Sequence, residues 1–291
     1  MEVEQLKPFG VMLDGIDDNT IEARGDEVRA LLETHALVVF RGCPLDAASH
    51  IRLVGLVGCV LDEGGAGAFH GHIANDPDRQ LTPTVQKLMS GELSFHSDLT
   101  YTRLPPEVLS LQAIELPSTG GATRFANGAL ALDTLPDDLR TAVAGRVGRH
   151  VYSFAEDYAG PREPQPYAGR HFAADQPIVR RNPRTGRDVL FVTDNATQRV
   201  VGMEPDESER LLKRLFAHLY AHGHVYVHDW RPDDLVMWEN LELQHSRADF
   251  DPSQRRILRR VIAGDPDSQR RHSAEVARQL AQTREAEAVY V

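Results

Sequence analysis

Three observations predict a mainly β fold with helical insertions, a sandwich of the cupin-like jelly-roll type. Many short apolar runs are bounded by Gly, Pro and Asn. The segments of helical period are gathered early and mid-chain. Strand and helix patterns do not alternate as a βαβ fold requires. No internal repeat or linker divides the 291 residues, so 1–291 is expected to be one domain, a size that β-rich sandwiches reach as single units.

The elements follow in order. Ile21 to Glu33 carries apolar residues at helical spacing among Glu and Arg and reads as an amphipathic helix. It runs into Ala36-Leu37-Val38-Val39-Phe40-Arg41-Gly42, an apolar run ended by Gly, expected to be a buried strand. Ala47 to Leu56 is a second expected helix, and Gly64-Gly65-Ala66-Gly67 opens a polar, aperiodic stretch to about Thr84, expected to be loop. Strands are expected at Leu93 to Tyr101 and at Val108 to Leu116, the second stopped by Pro117-Ser118-Thr119-Gly120-Gly121. Leu130 to Ala144 has a helical pattern with Pro136-Asp137-Asp138 in its middle.

Ser153 to Gln176 is rich in Gly, Pro, Tyr and charge and has no period, so a lid-like insertion is expected near 153–176. Ile178-Val179-Arg180 and Val189-Leu190-Phe191-Val192 flank the turn Asn182-Pro183-Arg184-Thr185-Gly186, a hairpin pattern. Glu207 to His222 is the clearest helix, with Leu211, Leu212, Leu215, Phe216 and Leu219 on one stripe. Gly223 to Asp229, Asp234 to Trp238 and Ile257 to Ala263 are further expected strands, and a C-terminal helix is expected near 273–287.

Composition narrows the function classes. The net charge of −11 opposes non-specific nucleic-acid binding, which needs a basic footprint. No run approaches 18 apolar residues, and the acidic N-terminal stretch has no apolar core, so a soluble, cytoplasmic protein without membrane partners is expected. Cys43 and Cys59 lie apart and lack CxxC spacing, so they read as spectator thiols. A homo-oligomer is compatible with the sequence, which leaves that state open.

The residues that carry chemistry begin at Ser94-Phe95-His96-Ser97-Asp98-Leu99-Thr100-Tyr101. In a strand, residues i and i+2 project to one face, so His96 and Asp98 would point together. A third ligand must come from elsewhere, and His245 follows the apolar run Val236-Met237-Trp238. Two histidines and one carboxylate on one face of a metal form the ligand set of non-haem Fe(II) oxygenases. Among 13 histidines an HxD arises by chance, and His70-Gly71-His72 and His222-Gly223-His224 share the spacing. Gly-flanked histidines in loops are more often solvated, but spacing alone leaves these alternatives open.

Separate segments, in the right order, resemble the taurine dioxygenase/2,4-D dioxygenase (TauD/TfdA) family. They are Leu37 to Gly42, Phe95 to Tyr101, Glu115 to Thr123, Asn182 to Arg187, Asp234 to Asn240, His245, Arg255 to Val261 and Gly264-Asp265. The resemblance implies a double-stranded β-helix, in agreement with the jelly-roll reading. It implies that His96, Asp98 and His245 bind Fe(II). It also implies that Arg256, assisted by the Thr123 hydroxyl, holds the distal carboxylate of 2-oxoglutarate, with O2 as the other co-substrate. A guanidinium suits that task because its planar fork pairs with a carboxylate and does not deprotonate.

The implied reaction is oxidation, most simply hydroxylation, of a C–H bond in a small molecule, with release of succinate and CO2. Desaturation or another oxidative rearrangement would use the same ligands. Asp98 argues against halogenation, since related halogenases carry a small residue there. The arginine matching Arg260 binds an anionic group in family members acting on sulfonates or carboxylates, which suggests an anionic substrate. The alternative is that Arg260 pairs with an internal Asp or Glu. His70 is a further candidate for the substrate pocket. In an extended strand Arg256 and Arg260 share one face, while Arg255 and Arg259 take the other and are expected in solvent.

Phe95, Ala122 and Asn182 depart from the family's common residues; none touches the expected metal or co-substrate. Two rivals remain: an iron dioxygenase without 2-oxoglutarate, against which Arg256 and Thr123 argue, and a metal-binding jelly-roll sensor without turnover.

Overall fold

The computed structural model describes residues 3–62, 67, 69–76, 91–153, 171–265 and 267. In chain order the first strands are β1 (Val3–Gln5), β2 (Val11–Asp14), β3 (Leu37–Arg41), β4 (Cys59–Val60), β5 (Gly71–Ala74) and β6 (Leu93–His96). The middle supplies β7 (Val108–Glu115), β8 (Thr123–Asn127), β9 (Val147–Ser153), β10 (His171–Pro177), β11 (Val179–Arg181), β12 (Asp188–Leu190) and β13 (Thr197–Val200). The last are β14 (Val225–His228), β15 (Leu235–Glu239), β16 (Leu243–Arg247) and β17 (Ile257–Gly264). Five α-helices accompany them: α1 (Gly25–His35), α2 (Ala47–Gly55), α3 (Gly128–Asp133), α4 (Asp137–Val143) and α5 (Pro205–Leu219).

The larger sheet runs β1-β2-β3-β15-β7-β17-β4, with β5 also paired to β17, and all pairs are antiparallel except β2 with β3. The smaller sheet runs β14-β8-β16-β6. Side-chain alternation assigns the faces. On β15, Leu235 and Met237 join a cluster with Val28, Leu32, Leu53 and Val54 of α1 and α2, so these helices cover one face of the large sheet. Val236 and Trp238 join Leu109, Leu258, Phe125 and Leu243, side chains from both sheets, which is the interior of the sandwich. A third cluster packs α3, α4 and α5 on the strands around Ile178, Leu190 and Val200.

Several expectations need correction. The expected strand from Leu93 to Tyr101 stops at His96, because Leu99 is left-handed (φ 58°) and the Thr102 N–H closes a turn on the Leu99 carbonyl. Gly71–Ala74, expected in a loop, is a strand because β17 offers it a full edge. The helix expected over Leu130 to Ala144 is two helices, broken around Pro136, whose missing N–H cannot continue a helix. Within the lid-like stretch near 153–176, His171–Pro177 is a regular strand paired to β9; residues 154–170 and the C-terminal helix expected near 273–287 lie outside the described residues. Among the described residues, no helix is long and apolar enough to cross a membrane.

Candidate active site

His245 lies directly opposite His96 across β16 and β6, and their rings stand 4.2 Å apart. Asp98 lies two residues beyond the end of β6, yet its carboxylate returns to the same place. Its Oδ1 is 3.4 Å from His96 Nε2 and 3.7 Å from His245 Nε2. One ligand atom from each of the three residues falls within 4.8 Å of the others, the only such group of His, Cys, Asp or Glu among the described residues.

The protonation states suit a cation. His96 Nδ1 lies 2.9 Å from the Ser94 carbonyl, which can only accept, so Nδ1 is the donor there and Nε2 is the atom turned to the centre. Burial, reinforced by His96, pushes His245 down to about 3, so its imidazole is neutral at pH 7. Burial raises Asp98, but a bond from His96 and the charge that the two histidines carry when protonated outweigh it and hold the carboxyl below its usual range. Two imidazoles and one carboxylate are the donors a divalent transition metal takes.

Across the sandwich stands Arg256, immediately before β17 and 3% exposed. Its Nε donates to the Gly121 carbonyl (3.1 Å) and its Nη2 to Thr123 Oγ1 (3.4 Å). No carboxylate among the described residues pairs with it. Burial, and then Arg247, lower its pKa to about 9, so it stays charged at neutral pH and suits an anionic ligand. Gly121 makes this approach feasible. Its φ is 68°, and a Cβ there would lie 3.0 Å from Arg256 Nε.

Arg260 extends into the sandwich on the same side of β17 as Leu258 and Ile262, and its Nη1 donates to Asp98 Oδ2 at 2.7 Å. The internal-partner alternative is therefore realised, and the partner is the candidate metal carboxylate itself. Asp98 thus has one oxygen toward the histidines and one on Arg260. Arg259, expected in solvent with Arg255, is instead buried under α2, where its Nε meets His50 Nδ1 (3.3 Å) and its Nη2 bonds Gln112. Arg255 alone is on the surface, paired to Asp76.

His70 immediately precedes Gly71, the β5 partner of Arg260, and its ring stands edge-on to that of His72 at 5.8 Å and close enough to His50 for their charges to interact.

Three supporting residues escaped the sequence reading. Trp230 donates from Nε1 to Thr123 Oγ1 (2.9 Å). Asn240 bonds the backbone on both sides of the Asp98 α-carbon. Gln176 Nε2 donates to the Thr100 and Thr102 carbonyls in the turn beyond it. The available signals were the position of Trp230 beside an expected strand and that of Asn240 at the end of a segment resembling the family.

The chain matches the family model described as "Taurine catabolism dioxygenase TauD, TfdA family" over residues 2–262. It is 33% identical over 277 residues to the (S)-phenoxypropionate/alpha-ketoglutarate-dioxygenase of Sphingobium herbicidovorans, covering 90% of this chain and 94% of that one. It is 30% identical over 268 residues to pentalenolactone F synthase of Streptomyces avermitilis, covering 85% and 86%. Its fold superposes on a taurine dioxygenase from Burkholderia xenovorans with a TM-score of 0.74 and 26% identity, covering 91% of this chain and 93% of that one. The sandwich found here is thus shared along nearly its whole length, and the chain belongs to the TauD/TfdA family of Fe(II)- and 2-oxoglutarate-dependent dioxygenases.

Proposed function

We propose that His96, Asp98 and His245 hold Fe(II), that Arg256 and Thr123 hold 2-oxoglutarate, and that the enzyme hydroxylates a small anionic organic substrate, releasing succinate and CO2. The observation that carries this reading is the pairing of the triad with a buried arginine lacking a carboxylate partner among the described residues. A buried charge without a partner is costly, so the site is built for an anion. When bound, the iron and 2-oxoglutarate together supply the activation of O2.

The chain's own residues do the rest. The two imidazoles and Asp98 Oδ1 would hold the metal. Arg256 and Thr123 would orient the co-substrate by its far carboxylate. Arg260, tied to Asp98, would hold an anionic substrate beside the triad, with its C–H bonds near the reacting centre. Phenoxypropionate, in the name of the Sphingobium relative, is such an anion. A cationic pocket inside a chain of net charge −11 can still draw an anion, because its desolvated charges are little screened while the acidic surface charges are screened by solvent and salt.

The test is anaerobic titration of the metal-free protein with Fe(II) and 2-oxoglutarate, following the visible charge-transfer band of the chelate. The band is expected in the native protein and not in His96→Ala; iron binding without a band removes 2-oxoglutarate from the reading. Arg260→Ala is expected to raise KM for an anionic substrate, found by screening for substrate-coupled succinate release, more than KM for 2-oxoglutarate. Equal effects on both would sink the substrate role.

A further inference from the structure

The segment that carries Asp98 is not held as a strand. β6 ends at His96, and the chain turns through a left-handed Leu99 immediately after Asp98. A ligand on a turn would ordinarily be mobile, and the ladder that fixes His96 and His245 does not reach it. Gln176 bonds the turn beyond Asp98 and Arg260 bonds its carboxylate, while the Asp98 backbone itself is held, among the described residues, by Asn240. Asn240 Oδ1 accepts the Asp98 N–H at 2.9 Å, while its Nδ2 donates to the Asp98 carbonyl at 3.1 Å. The second Nδ2 hydrogen goes to the Pro106 carbonyl at 2.9 Å.

Asn240 is fully buried, and its own N–H is bonded to the Glu107 carbonyl at 2.7 Å. Both donors and the acceptor of the carboxamide are engaged. Its orientation is also fixed, since the reverse would set its oxygen against two carbonyls. No other residue type of this size supplies one acceptor and two donors in that geometry.

We infer that Asn240 is a positioning residue for the metal: it clamps the Asp98 backbone on both sides of the α-carbon and thereby pre-sets the carboxylate against the two histidines. The inference rests on the triad reading above. Asn240 sits where β15 turns toward β16, the strand of His245, so one turn fixes two ligands that are 147 residues apart in sequence. With Asn240 in place, little of the metal's binding energy is used to order the Asp98 turn.

The experiment is Co(II) titration of the metal-free protein, without 2-oxoglutarate, read by the visible absorption of the bound ion and accompanied by thermal melts. Asn240→Ala and the isosteric Asn240→Asp are expected to weaken Co(II) binding about 10- to 100-fold, as losses around a metal's ligands commonly do. Ser208→Ala is the control. It removes another buried side-chain bond, the one Ser208 on α5 accepts from the Val200 N–H of β13 (2.8 Å), outside the two sheets of the sandwich. It is expected to lower the melting temperature and leave Co(II) affinity unchanged. If the Asn240 variants bind Co(II) as the native protein does, the inference is overturned. If the native protein and His245→Ala bind Co(II) alike, it is the triad reading that fails. Should the Asn240 variants not fold, amide exchange in the native protein decides. Protection of the Asp98 N–H before metal is added supports the clamp; protection that appears only with metal overturns it.

Discussion

At the scale of single residues, the Thr123 hydroxyl illustrates how hydrogen-bond capacity assigns a role. A threonine oxygen accepts two bonds and donates one. Trp230 Nε1 and Arg256 Nη2 both donate to it, so its own proton is left to point at a ligand. A carboxylate beside Arg256 would take that proton. Thr123→Val, which keeps the shape and removes the donor, is expected to raise KM for 2-oxoglutarate on the order of tenfold with kcat largely retained. A fall in kcat at unchanged KM would reassign the residue. The same reasoning explains what sequence could and could not reveal. Arg256 and Thr123 are chemically distinctive and sit in motifs. Trp230 acts only through a neighbour 107 positions away, and nothing local in its segment announces that bond.

At the scale of elements, the bend between β7 and β8 governs the arginine. Gly121 has φ 68°, and a methyl group there would press on the Arg256 side chain at 3.0 Å. Gly145 has nearly the same backbone (φ 66°) but opens on empty space. Alanine at either position is expected to cost about 1–2 kcal/mol of stability for the left-handed backbone. Only Gly121→Ala is expected also to raise KM for 2-oxoglutarate; melts and steady-state kinetics on the pair separate the two effects.

Elements also mark where the sequence was readable. β3, β15 and α5 announce themselves through uninterrupted apolar runs or a clean stripe. β16 does not, because Leu243-Gln244-His245-Ser246-Arg247 has one apolar residue in five. It is buried all the same, since Gln244 bonds Tyr220 (2.8 Å) and Ser246 accepts from Arg124 (2.8 Å). Polar residues satisfied by distant partners have no local periodicity, and a strand built from them is legible only through its family motif. The triad was legible in identity for that reason, whereas the placement of Asp98 beyond its strand was not.

At the scale of the whole molecule, Arg184 fastens three parts together. From the β11–β12 turn it donates to Glu239 on β15 (2.9 Å) and to the Val57 carbonyl after α2 (2.7 Å), and it lies 3.7 Å from Glu33 on α1. Its main partner is costly to ionise. Burial raises Glu239 to about 7 against the pull of Arg184. A carboxyl whose folded pKa lies above its unfolded value binds more protons folded than unfolded between the two, so this group lowers stability as pH rises from about 4.5 to about 7. Glu239→Gln has no such titration. Its stability relative to the native protein is therefore expected to climb across that window and level off above pH 7, measured as the difference in melting temperature from pH 4 to 8. A constant difference would show that Glu239 does not take up its proton there.

The chain contains two tryptophans, and both stand at the site. Trp238 lies with its ring 4.9 Å from that of His245, and Trp230 is bonded to Thr123. Indole emission is therefore an optical readout divided between the two halves of the centre. A paramagnetic ion held by His245 would quench the fluorophore beside it, and a carboxylate taken by Thr123 would perturb the other. With one indole replaced by phenylalanine, the remaining one would report its own half alone, and the two variants compared would give the order of arrival without any dye or label.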